Sequence, residues 1–113
     1  MNQVDHELEA FLALDGHAFE FGSGHRVKLE AQRAEETVGR PAGIKYSLTL
    51  HGPDGLRIYG LDNAHAVRGE TAFDHRHSYG TGKVIAYKYR GVTALLEDFY
   101  REVERILRER GAL

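Results

Sequence analysis

The sequence predicts an α+β domain: an antiparallel sheet of four to five strands, a C-terminal amphipathic helix over about residues 94–110 packed on one face, and a short N-terminal helix. Three observations carry this. Runs of alternating apolar and polar residues recur with short, breaker-rich returns between them, as antiparallel neighbours require. In the cleanest run Ile44, Tyr46, Leu48 and Leu50 face one way and Lys45, Ser47, Thr49 and His51 the other. Near the C-terminus Val92, Leu95, Leu96, Phe99, Tyr100, Val103, Ile106 and Leu107 form one apolar stripe at helical spacing.

Taken in order, Val4, Leu8, Phe11 and Leu12 predict a helix over 4–14, stopped by Asp15-Gly16. Residues 17–21 alternate with Phe19 and Phe21 on one side, and Gly22-Ser23-Gly24 turns the chain. Residues 25–34 complete a hairpin with Val27, Leu29 and Ala31 inward. A charged loop over 35–43 leads into the strand 44–51. Gly52-Pro53-Asp54-Gly55 then supplies a fixed φ and a glycine for a tight turn, so a strand over 56–61 returns antiparallel with Leu56 and Ile58 toward the core. A polar segment follows, then a strand over 83–89 by its β-branched and aromatic content. Thr93 is the expected N-cap of the last helix, Glu97–Arg101 and Glu104–Arg108 its i,i+4 ion pairs, and Gly111 its stop. Leu95, Phe99, Val103 and Ile106 should be buried against Leu48, Leu50 and Ile58.

A chain of 113 residues fits one domain, 1–113, large enough for its own core. The absence of cysteine excludes disulfides and thiolate metal sites and suits a cytoplasmic protein. No signal peptide is expected from Met1–Asp5, and no apolar run is long enough to span a bilayer. The net charge of −2 hides an asymmetry: residues 44–90 hold seven Lys/Arg against four Asp/Glu, a balance of +3 between acidic flanks. A basic middle suits an anionic partner such as RNA, although strands also carry Lys and Arg on solvated faces.

Chemistry concentrates between Asp62 and His77. Asp62-Asn63-Ala64-His65 follows a strand directly, and Asp74-His75-Arg76-His77 places two histidines two apart. If extended, both point to one face with Cα atoms roughly 6.5 Å apart, and Asp74 and Arg76 point to the other. Three readings compete. In the first, His65, His75 and His77 supply acid and base for metal-independent RNA cleavage, with Asp62 or Asp74 orienting a ring and Arg76 or Arg68 as the cation. No cofactor is then needed. In the second, His65, His75 and His77 ligate a transition metal, with Asp62 or Asp74 as the carboxylate. In the third, these residues cap turns and decorate the surface. Spacing separates the first two: an acid and a base acting on a phosphodiester must leave room for it, whereas metal ligands lie only about 3 Å from each other. Arg68, Lys83, Tyr87 and Lys88 are candidate RNA contacts, through phosphates and base stacking.

The ordered set Ile44-Lys45-Tyr46-Ser47-Leu48, Gly52-Pro53-Asp54-Gly55, Asp62-Asn63-Ala64-His65, His75-Arg76-His77 and Leu96-Glu97-Asp98-Phe99 resembles the TumE-like toxin–antitoxin family over roughly residues 17–110. The resemblance implies the toxin component of a type II system: a small prokaryotic endoribonuclease, with a cognate antitoxin and RNA as partners. It carries over no catalytic residues. A homodimer is compatible with it, and no membrane association is expected. The alternative is a non-catalytic or metal-binding module that acts through a protein partner.

Overall fold

Period-two alternation sets most of the strands, and one apolar stripe sets the long helix. The structure, a computed structural model, describes residues 5–113. Its elements run α1 (His6–Leu12), β1 (His17–Glu20), β2 (Arg26–Arg33), β3 (Ile44–His51), β4 (Arg57–Asp62), β5 (His75–Ser78), β6 (Lys83–Ala86) and α2 (Val92–Glu109). Val4, expected in the first helix, lies outside the described residues. All six strands form one sheet in chain order, each antiparallel to the next. That order needs only local returns and no crossover. The strand the sequence did not predict, β5, is the polar segment itself. His75–Ser78 lacks β-branched residues, yet it is held by ladders on both sides.

The core lies between one sheet face and the two helices. Val27, Leu29 and Ala31 pair across to Leu50, Leu48 and Tyr46, and all six are buried. On α2, Val92, Leu95, Phe99, Val103, Ile106 and Leu107 are buried against them. Phe99 stacks on Tyr59 with ring centroids 6.1 Å apart, and Phe11 of α1 meets Tyr46 edge-on at 6.4 Å. Both helices sit on this face, so the opposite face of the strands carries no helix among the described residues.

The predicted inward set of β4 is corrected by the register. Tyr59 and Leu61 are buried, whereas Leu56 is 68% exposed and Ile58 only packs at the margin. Leu50 pairs with Tyr59 but His51 with Arg57, so Ile58 is an extra residue between them. One such bulge inverts which side chains face the core. The last helix also starts earlier than predicted. Its N-cap is Gly91, not Thr93, with no side-chain cap bond. At its end Gly111 turns with φ 66°, and the Gly111 and Ala112 N–H groups donate to the Arg108 and Leu107 carbonyls. That closure satisfies carbonyls the helix leaves open. Glu104 pairs with Arg108 at 2.6 Å, but Arg101 pairs with Asp98 rather than Glu97.

Both edge strands expose apolar side chains. Phe19 on β1 and Val84 and Ile85 on β6 are exposed. Strand β6 ends at Ala86, short of the predicted 89; one step beyond the last pair, His75 and Ala86, the Tyr87 N–H still donates to the Asp74 carbonyl at 2.9 Å.

Candidate active site

Antiparallel pairing of β4 and β5 sets Asp62 opposite His75 and Gly60 opposite His77, on the face without helices. Cross-strand neighbours are close enough for side chains to meet. His75 Nε2 lies 2.7 Å from His77 Nε2 and 3.2 Å from Asp62 Oδ1, and His77 Nε2 lies 3.4 Å from Asp62 Oδ2. The His75 side chain is 4% exposed, Asp62 11% and His77 26%. The cluster is therefore closed behind His75 and open beside His77.

Each member is held from behind. His75 Nδ1 lies 2.7 Å from the Phe73 carbonyl, which can only accept, so Nδ1 carries the hydrogen. The neutral ring then presents a bare Nε2 to its neighbours. Asp62 Oδ1 accepts the Ala64 N–H at 3.0 Å. Tyr79 stacks on His77, centroids 5.1 Å apart, and the Arg57 guanidinium lies over Tyr79 at 5.8 Å. Gly60 lies close by: a Cβ there would press on the Leu48 carbonyl at 3.2 Å and on Thr49 at 3.3 Å, and would only touch Tyr79 at 3.5 Å. Burial, and then the adjacent His75, hold His77 below the usual histidine range against the pull of Asp62.

The strand ends are pinned by Asn63. Its amide donates to the Ile44 carbonyl at 2.8 Å and accepts the Tyr46 N–H at 2.9 Å, so it extends the β3 ladder as backbone would. Arg40 binds the Asn63 and Ala64 carbonyls from the 35–43 loop. Next to it, Gly39 accepts the Phe73 N–H and lies under the Phe73 ring, where a Cβ would come within 2.5 Å. Gly39→Ala should therefore push Phe73, and with it the carbonyl that orients His75. Overpacking of this kind costs about 1–3 kcal/mol. Urea unfolding checks it, and an unchanged midpoint would show that Phe73 simply swings aside.

A cavity of about 460 Å³ opens beside the cluster. Asp62, His77 and His65 line it, with Lys45, Ser47, Arg57, Tyr79 and Glu30. His65 is exposed, on the segment after β4. The other sequence candidates lie elsewhere. Asp74 is buried and accepts from the Tyr46 phenol at 2.7 Å; burial raises its carboxyl above the usual range, with the Tyr46 bond opposing. It is absent from the Asp62–His75–His77 group. Arg76 faces the helix side, 5.9 Å from the Tyr87 ring, and lines a second cavity with Tyr59, Lys88, Arg90 and Asp98. Tyr87 is buried and its phenol donates to Asp98 at 2.5 Å, so its ring is not free to stack on a base. Burial and Asp98 push that phenol up. Arg68 and Lys83 are exposed, and neither they, Tyr87 nor Lys88 line the histidine cavity. The cations that do line it, Lys45 and Arg57, were legible only as outward strand positions.

The family model described as Toxin TumE matches residues 8–107. The chain belongs to the TumE toxin family. No curated protein and no solved structure matches it. The matched span runs from Leu8 in α1 to Leu107 in α2 and so covers the whole sheet, including the strands that carry Asp62, His75 and His77. A TumE toxin implies a cognate antitoxin. Among the described residues no helix is long and apolar enough to cross a membrane.

Proposed function

We propose that this TumE-family toxin is an endoribonuclease that cuts RNA in the cavity over Asp62, His75 and His77. The observation that carries the reading is the convergence of these three side chains beside a cavity that His65, Lys45 and Arg57 also line. The 2.7 Å between the two imidazoles leaves no place for a phosphate between them. They therefore act as one unit with Asp62 rather than as opposed acid and base, and His65 takes the second role.

In the reaction the 2′-oxygen attacks the adjacent phosphorus, and its proton passes to the Asp62–His75–His77 unit. The bond from phosphorus to the 5′-oxygen breaks, and that oxygen receives its proton from the His65 imidazolium. The products are a 2′,3′-cyclic phosphate and a 5′-hydroxyl. Lys45 and Arg57 offset the charge that builds on the phosphorane oxygens. Incubating the purified chain with single-stranded RNA tests this. Fragments with those ends are expected, and intact RNA at stoichiometric protein would remove the nuclease reading. A second reading, partner binding without catalysis, has the exposed Val84 and Ile85 on the edge strand in its favour, and intact RNA would promote it.

RNA affinity should fall steeply with salt, because phosphate contacts release counterions. Lys45→Ala and Arg57→Ala should each reduce the slope of log K against log salt by about 1. Filter binding across a salt series measures this, and slopes equal to wild type would place the RNA elsewhere.

A further inference from the structure

We infer that Asp62, His75 and His77 form a binding site for one divalent first-row transition-metal ion. The inference deepens the nuclease reading, since it concerns the same side chains, but ion binding does not depend on cleavage. It begins from a count of hydrogens. His75 commits its ring hydrogen to the Phe73 carbonyl, so its Nε2 lone pair points inward. A carboxylate only accepts. Asp62 thus aims further lone pairs at the same point, 3.2 Å from His75 Nε2 and 3.4 Å from His77 Nε2. One hydrogen on His77 Nε2 can satisfy one contact. The bare His75 nitrogen and the Asp62 carboxylate would still face each other where the His75 side chain is 4% exposed, an arrangement that costs free energy when dry. A cation at the centre satisfies all three groups together.

The dimensions agree. Ligand bonds of about 2.0–2.1 Å put neighbouring donor atoms roughly 2.9 Å apart in an octahedral shell and roughly 3.4 Å apart in a tetrahedral one. The three edges here are 2.7, 3.2 and 3.4 Å. The outer contacts of a metal site are also in place: a backbone carbonyl fixes the far nitrogen of His75, and the Ala64 N–H steadies the Asp62 carboxylate. Two imidazoles and one carboxylate favour zinc, cobalt, iron or manganese over magnesium or calcium. The remaining coordination positions face the cavity, since Asp62 and His77 line it. Asp74 does not take part, because its carboxylate is engaged with Tyr46. In the nuclease reading Asp62, His75 and His77 would hold the ion, and a bound ion would supply positive charge to offset the 2′-oxygen, with solvent water taking its proton.

Calorimetric titration of the chelator-treated full chain with Zn²⁺, and with Co²⁺ as a visible-absorption probe, tests the site. One ion per chain is expected, with cobalt absorption bands of a nitrogen- and oxygen-ligated ion and an unfolding midpoint that rises with metal concentration. Asp62→Asn keeps the shape and removes the charge, and should weaken binding at least ~10-fold. His75→Ala should abolish it, but that change empties a buried position, so Asp62→Asn carries the decision. His65→Ala should bind the ion as wild type does. No saturable Zn²⁺ or Co²⁺ binding by the folded chain would overturn the inference, leaving a shared proton in the ion's place. Undiminished binding by Asp62→Asn would overturn it too. Ion binding without RNA cleavage under any condition keeps the site and removes the nuclease; cleavage in chelator by a chain that binds no ion does the reverse.

Discussion

His77→Ala and His65→Ala should each slow RNA cleavage by about 10²–10⁴, the usual contribution of a positioned acid or base, while leaving the unfolding midpoint close to wild type. The two effects have different origins. His77 belongs to a unit whose nitrogen and carboxylate contacts are 2.7 and 3.4 Å long, so its loss disables Asp62 and His75 as well. Groups that act as a unit are far from additive. Placing His77→Ala on an Asp62→Asn background should therefore add little to the loss already caused by Asp62→Asn. His65 stands apart from that cluster on the cavity wall, and its loss removes the proton for the leaving oxygen. Folding should tolerate both changes, since His65 is exposed and His77 only partly covered. Gel-resolved initial rates on one RNA, with circular dichroism on the same samples, check this. A His77→Ala chain that cleaves at the wild-type rate would dissociate the activity from this cavity.

Phe99→Ala should lower the unfolding free energy by about 3–5 kcal/mol, the range for deleting a large buried aromatic side chain. Phe99 has no exposed surface, stacks on Tyr59 across the helix–sheet interface, and meets Tyr100 edge-on at 5.4 Å. Its removal leaves a void under the middle of α2, the long helix over the sheet. A domain of this size is stable by only about 5–15 kcal/mol, so one substitution spends a large fraction of the total. Burial in the same layer pushes the Tyr59 phenol up to about 12. The neighbouring Tyr100→Ala is the control: that side chain is 38% exposed and should cost much less. Urea unfolding followed by circular dichroism measures both. A Phe99→Ala cost below about 1 kcal/mol would mean that α2 does not hold the sheet as described.

What the amino-acid sequence determined by itself is what depends on local periodicity. The inward set of β3, Ile44 to Leu50, follows from alternation along one strand, and it is buried as alternation requires. The α2 stripe follows from helical spacing, and Phe99 is buried at its centre. His75 and His77 share a face because they are two apart on a strand, whatever that strand pairs with. The same alternation already sent Asp74 and Arg76 to the far side, where they meet Tyr46 and Tyr87. The ordered motifs also pointed to the TumE family, which the match over 8–107 establishes.

What only the tertiary structure decided is what depends on register between strands. Asp62 meets His75 because β4 and β5 pair at that step, and nothing within either segment sets it. The Ile58 bulge turned Tyr59 and Leu61 inward in place of Leu56, since a single extra residue reverses a strand's faces. Lys45 and Arg57 come from two different strands and become cavity residues only once those strands lie beside the histidines. The 2.7 Å contact between imidazoles is likewise a matter of rotamers packed against Phe73, Tyr79 and Asp62. Side chains that act together are brought together by long-range pairing, and sequence spacing carries no record of that distance.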